Sequence, residues 1–205
     1  MGIFDLMTSS HPFWPAPQGK DLQATIALPG SKSLTNRELL LSAIAIEPTL
    51  LIAPLVSRDS KLMIQALESL GVGFAWQGND LLVTPRELKG PATIDCGLAG
   101  TVMRFVPPLS TLAIGSISFD GDVGARRRPM HTTIDSLRAL GVEVLADGDS
   151  LPFTVVGTGQ VSGGVLEIDA SASSQFVSGL LLVAARFENG LTLRHLGEEL
   201  PSMPH

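Results

Sequence analysis

The sequence predicts an α/β (α+β) fold built from a repeated βαβαββ unit, and three observations predict it. Three segments share one grammar of short alternating strand, small-residue turn and apolar helix. A second recurring segment adds a further helix and a hairpin, so the whole unit repeats at about 70 residues. The composition agrees: of 205 residues 44% are hydrophobic and 17% charged, which excludes wholesale disorder, and 21 Gly with 14 Pro punctuate many short elements.

In chain order, ATIALPGSKSLTNRELLLSAIA (24–45) opens with a strand, turns at Pro29-Gly30 and enters a helix near Ser31–Ser33. The segment 57–85 then supplies a helix stopped by Gly71 and two strands joined by a Gly-Asn-Asp turn. The pattern restarts in ATIDCGLAGTVMRFVPPLSTLA (92–113), with a strand and a helix start near Ala99–Thr101. In 126–156 Pro129 suits a helix start, Gly141 stops that helix, and Asp-Gly-Asp turns the following hairpin. LEIDASASSQFVSGLLLVAA (166–185) gives the third strand and helix, starting near Ser173–Gln175, before a strand at Leu191–Leu193. Only roughly forty residues of this third unit are present, so it reads as truncated and the chain as a fragment, with a naturally degenerate terminal repeat as the alternative.

Charge and cysteine usage narrow the function. A net charge of −6 gives no global basic field for nucleic acid or an anionic membrane, so any anionic ligand must meet a local cluster. One cysteine, Cys96, makes no internal disulfide, and neither CxxC nor HExxH occurs, so no metal site is expected. The first twenty residues lack a secretion-signal pattern, and the runs Leu39 to Ile46 and Gly179 to Ala185 are far too short to span a membrane. A reducing, cytoplasmic setting fits.

The three turns carry the candidate chemistry, because helix N-termini present unsatisfied N–H groups and small residues let an anion approach them. Lys32 and Ser33 stand at the first, with Arg37 one turn on; a point charge beside a forked guanidinium suits two anionic groups, although taken alone a Ser-Lys-Ser start is more often a structural cap with a solvated lysine. Gly100 and Arg104 follow the second turn. An Arg on the first turn of an apolar helix opposes the dipole, so either an anion or a salt-bridge partner is expected beside it. Arg126, Arg127 and Arg128 cannot all face one ligand in extended chain, and a solvated basic loop is the plain reading. Ser173, Ser174 and Gln175 offer hydroxyls and an amide without a cation, or simply a capped helix start. No triad motif accompanies His131 or His195, Cys96 reads as an inert core thiol, and Asp95 and Asp169 read as acceptors for backbone or Arg donors.

Taken together, PGSKSLTNR (29–37), LAGTVMR (98–104), RRRP (126–129), SASSQFVSGLL (171–181) and PSMPH (201–205) resemble the 5-enolpyruvylshikimate-3-phosphate synthase family, in its order and spacing but over only about its first half. The resemblance implies the enolpyruvyl transferase fold, with three βαβαββ units about a pseudo-threefold axis in each of two domains. It implies transfer of the enolpyruvyl group from phosphoenolpyruvate to the 5-hydroxyl of shikimate 3-phosphate, with phosphate released and no cofactor or metal. It assigns Lys32 to both substrates and to catalysis. Ser33, Arg37, Ser173, Ser174 and Ser202 go to shikimate 3-phosphate, Gly100 and Arg128 to the phosphoenolpyruvate pocket that glyphosate also enters, and Gln175 between the substrates. It places residues 1–29 with an absent second globular domain, makes 30–205 the truncated substrate-binding domain, and leaves 24–28 without normal sheet partners. The principal acid–base carboxylate belongs to the missing C-terminal half, so this chain alone is expected to be inactive or nearly so and the full-length protein a monomer. Leu98, where many members carry Asn, and His205, where many carry Tyr, depart from the pattern. UDP-N-acetylglucosamine enolpyruvyl transferase is the alternative within the fold, and a non-catalytic anion-binding module the alternative outside it.

Overall fold

The computed structural model describes Gly19, residues 21–26 and residues 28–201. In order they form α1 (Lys32–Ala43), β1 (Thr49–Leu51), α2 (Arg58–Ser69), β2 (Gly73–Gln77), β3 (Asp80–Thr84), β4 (Ala92–Asp95), α3 (Gly100–Ser110), β5 (Ile114–Asp120), α4 (His131–Ala139), β6 (Glu143–Ala146), β7 (Phe153–Thr158), β8 (Gly164–Ile168), α5 (Ser174–Ala184) and β9 (Leu191–His195). The middle unit is complete. Its sheet runs β4-β5-β7-β6, with β4 parallel to β5 and the other pairs antiparallel. Among the described residues the first unit repeats that order without its first strand, as β1-β3-β2, and the third holds the parallel pair β8-β9 alone. One sheet plan is thus used three times.

The missing first strand corrects the strand that the repeat predicts at 24–28 and agrees with the expectation that these residues lack their sheet partners. The described residues there make no ladder, and Ile26 and Leu28 are largely exposed, because a strand needs a neighbour to bond its backbone and none is present. Two further differences are local. The helix expected at Pro129 begins at His131, since the buried Met130 still belongs to the turn and donates its N–H to Asp149 O at 2.7 Å. The β6–β7 connection is also longer than an Asp-Gly-Asp turn: Ala146 pairs with Phe153, and the intervening loop tucks Leu151 into the core.

The helix boundaries follow the punctuation. Ser31, Ala99 and Ser173 are the N-caps of α1, α3 and α5, as the turns predict. Gly71 (φ +106°) and Gly141 (φ +82°) take the left-handed conformation that ends α2 and α4. The helices α1, α3 and α5 each pack on the other two, while β4 packs on α2 and β8 on α4, so each unit meets its predecessor alike. At the centre α3 is buried on nearly every side, as its all-round apolar sequence requires. Its Pro108 has no N–H to give the carbonyl of Arg104, and that carbonyl faces Gly179 of α5, where an added Cβ would stand 2.2 Å from the oxygen. This close crossing sets the spacing between the starts of α3 and α5.

Candidate functional site

Three helix starts converge on one side of the core. Ser31 Oγ accepts from the Leu34 N–H at 3.3 Å, and Ser173 Oγ accepts from the Gln175 N–H at 3.3 Å. Ala99 has no side chain able to do this, so the first N–H groups of α3 keep their capacity for an outside acceptor.

A cleft of about 260 Å³ lies between the starts of α1 and α5, lined by Ser33, Arg37, Ala172, Ser173, Ser174, Gln175 and Pro201. Five of the expected binding residues therefore share one wall system. Arg37 reaches back along α1, donating to Ser33 O at 3.0 Å and to Ser33 Oγ, and across to Ser178 Oγ of α5 at 3.2 Å. Its guanidinium also lies over the Phe105 ring, 5.1 Å from the centroid. Burial lowers its pKa from the usual arginine value, yet arginine stays protonated, so the cation is held in a fixed direction.

The start of α3 adds a second cluster. A Cβ at Gly100 would stand 3.0 Å from Arg104 Nη1, 3.2 Å from Gln175 Oε1 and 3.7 Å from Arg128 Nη1. Arg128 is anchored by donating to Leu98 O at 2.9 Å, and Arg104 donates to Gln175 Oε1 at 3.3 Å while stacking over Phe176 at 5.0 Å. Arg104 has no ion-pair partner among the described residues, and its buried Nε has no hydrogen bond. Among the described residues, then, no carboxylate supplies the salt bridge that the sequence left open for it. Burial first, and the charge of Arg128 second, lower its pKa. Two guanidinium groups held beside an uncapped helix start form a site of positive potential that an anion relieves.

The other expected residues are placed as follows. Lys32 precedes the cleft residue Ser33 but does not itself line the cleft: its half-exposed ammonium pairs with the mostly covered carboxylate of Asp59 at 2.9 Å. The arginine run is not the extended chain expected but a series of tight turns, with Arg126 N–H bonding Asp122 O and Arg128 N–H bonding Ala125 O; within it Arg126 forks onto Asp120 at 2.8 and 2.6 Å while Arg128 turns to Gly100. That fork, with the Gly121 N–H, holds the Asp120 carboxyl below its usual range. Asp95 and Asp169 accept, respectively, from the Gly97 N–H at 2.8 Å and the Ser171 N–H at 2.9 Å, identical turns at matched strand ends. His195 Nδ1 accepts from the Ala170 N–H at 3.2 Å, a structural role. Cys96 is fully buried, and desolvation aided by Asp95 and Asp120 pushes its thiol up to about 12. Ser202 and His205 lie outside the described residues. Arg104 stands out in the sequence as the lone Arg on an apolar helix, whereas no motif marks Ser178 or the Asn36–Thr101 bond, 2.6 Å long and tying α1 to α3.

Among the described residues no three His, Cys, Asp or Glu side chains are grouped to hold a metal, and no helix is long and apolar enough to cross a membrane. A roomier cavity of about 710 Å³ lies between α2 and the β2–β3 hairpin, but its lining is mainly apolar and its only cation is Lys61. Size and lining therefore disagree, and the smaller cleft is the one lined by the expected binding residues.

A family model described as EPSP synthase (3-phosphoshikimate 1-carboxyvinyltransferase) matches residues 17–205. A 3-phosphoshikimate 1-carboxyvinyltransferase from Kocuria rhizophila is 53% identical over 206 residues, which cover 94% of this chain and 46% of the relative. One from Mycobacterium ulcerans is 53% identical over 205 residues, covering 97% and 47%. A solved EPSP synthase from Acinetobacter baumannii superposes with a TM-score of 0.73 at 26% identity, over 85% of this chain and 41% of that one. The chain spans about half the length of the curated relatives it matches.

Proposed function

The chain belongs to the EPSP synthase family, and on that premise we propose that it forms the substrate-binding half of an enzyme joining phosphoenolpyruvate to shikimate 3-phosphate. In that reaction the 5-oxygen of shikimate 3-phosphate bonds to C2 of phosphoenolpyruvate, the C2–O bond to phosphate breaks, and phosphate leaves with the electron pair. The observation that carries the reading is the shared glutamine. Gln175 lines the cleft with Ser33, Arg37, Ser173 and Ser174, and also touches the Gly100, Arg104 and Arg128 cluster. Two adjacent cationic sites with one common wall suit a reaction between two polyanions, whose repulsion clustered guanidinium groups and helix starts offset.

In this assignment Ser33 and Arg37 hold shikimate 3-phosphate, and Ser173 and Ser174, with Ser202, hold its phosphate. Gly100 and Arg128 receive phosphoenolpyruvate, Lys32 leaves Asp59 to reach both substrates, and Gln175 stands between them. The attacking hydroxyl must lose a proton, and the methylene carbon must gain one as the new C2–O bond forms and lose one as phosphate leaves and the double bond is restored, so an acid–base group from the other half completes the site. Residues 1–29 go with that second globular unit and 30–205 form the substrate-binding one, in a monomeric cytoplasmic enzyme. The unladdered, exposed Ile26 and Leu28 support such a partition. UDP-N-acetylglucosamine is disfavoured as acceptor, because Cys96 is a buried thiol raised to about 12 rather than a loop nucleophile.

The test is a protein extended to its relatives' full length and supplied with both substrates. Phosphate release coupled to loss of phosphoenolpyruvate is expected with shikimate 3-phosphate. Turnover of UDP-N-acetylglucosamine instead would overturn the substrate assignment, and turnover of neither would leave an anion-binding module.

A further inference from the structure

We infer that Arg104 is a positioning residue that fixes the side-chain amide of Gln175, so that Gln175 presents hydrogen-bond donors, and no acceptor, to the anion in the cleft. The inference rests on the anion-site reading and goes one step past it. An amide offers an oxygen on one side and an NH₂ on the other, and its neighbours decide which faces the ligand. The neighbour here is a guanidinium, which donates only. Arg104 Nη1 lies 3.3 Å from Gln175 Oε1, and the reversed amide would oppose two donors.

Arg104 can hold that direction because it is itself confined. Its guanidinium stacks over Phe176, the residue after Gln175, at 5.0 Å, and no carboxylate among the described residues draws it away. Gly100 leaves the contact unobstructed, since a Cβ there would stand 3.0 Å from one partner and 3.2 Å from the other. With its oxygen engaged, Gln175 has both Nε2 protons for the cleft it lines beside Ser173 and Ser174.

The experiment titrates this chain, ¹⁵N-labelled, with shikimate 3-phosphate and follows the backbone amides of Gly100 and Ser174 beside the side-chain NH₂ pair of Gln175. In the unaltered chain all three are expected to move together. Gln175→Glu is nearly isosteric and still gives Arg104 an acceptor, but it offers the ligand no donor; its affinity is expected to fall about tenfold or more. Arg104→Met is expected to lose about tenfold and to uncouple the Gln175 NH₂ pair from the titration, whereas Arg104→Lys, also a pure donor, stays within about threefold. A dispersed spectrum verifies the fold of each variant. Wild-type affinity in Gln175→Glu, or a Gln175 pair that still moves in Arg104→Met, overturns the inference while leaving the anion site standing. Motionless backbone amides in the unaltered chain overturn the anion site and the inference with it.

Discussion

Substituting Gly179 by Ala sets two principles against each other, and the structure decides the sign. Inside a helix Ala is favoured over Gly by about 0.5–1 kcal/mol, so local propensity predicts a more stable protein. At this position, however, the new Cβ would stand 2.2 Å from Arg104 O and 3.1 Å from Arg104 C, both backbone atoms of α3 that no rotamer change can move. Helix α5 must retreat by about 1 Å from the most buried helix of the domain to reach ordinary contact, and overpacking of this kind costs about 1–3 kcal/mol. With the upper figure set against the propensity gain, the net is a loss of about 2 kcal/mol. For a urea slope near 2 kcal/mol/M the unfolding midpoint should fall by about 1 M. Gly148, where an added Cβ meets nothing within 4 Å, is the control, and Gly148→Ala should leave the midpoint unchanged or slightly higher. A Gly179→Ala protein at least as stable as the parent would refute the close crossing. With it would go the reason the starts of α3 and α5 lie close enough to share a ligand.

Further outcomes follow from individual contacts. Gly100→Ala meets only the ends of flexible side chains, so stability should change by less than about 1 kcal/mol, while phosphoenolpyruvate binding measured by calorimetry weakens about tenfold as Arg104, Arg128 and Gln175 are displaced. Asp59→Ala frees Lys32 from a half-exposed pair and should raise shikimate 3-phosphate affinity about two- to fivefold, with a stability loss of at most about 1 kcal/mol from the first turn of α2. Cys96 should resist thiol reagents in the folded protein at pH 8 and react on unfolding in urea. Its raised pKa also carries a sign. The contribution to stability is fully present below the ordinary thiol value and is lost as pH rises from there towards about 12, which urea titrations across that range would detect.

What could be read from the residues was mostly local. Ser31 and Ser173 announce helix starts because their hydroxyls satisfy the N–H groups that helices leave open, and Gly71 and Gly141 announce stops because they tolerate the left-handed turn. The recurrence of those signals made the repeat legible, and with it the convergence of three turns. Pairing was not legible. Residues 24–28 look like a strand by alternation, but a strand exists only where another chain segment bonds it. The Lys32–Asp59 pair joins neighbouring helices at a separation no motif specifies. Gly179 sat unremarked in an apolar run, because a glycine's reason for being there is the atom that approaches it. Arg104 reads from the sequence as facing either an anion or a salt-bridge partner, and which neighbours surround it is a matter of packing: Gln175, Phe176 and Arg128 among the described residues, and no carboxylate.

The most direct test of the cleft is a crystal structure of this chain grown with saturating shikimate 3-phosphate. The ligand is expected within hydrogen-bond distance of at least three of Ser33, Arg37, Ser173 and Ser174, with its phosphate at Ser173 and Ser174 and its ring toward Gln175. A ligand bound elsewhere, for instance against Trp76 in the larger apolar cavity, or a cleft that stays empty while the ligand is present at saturation, would contradict the account.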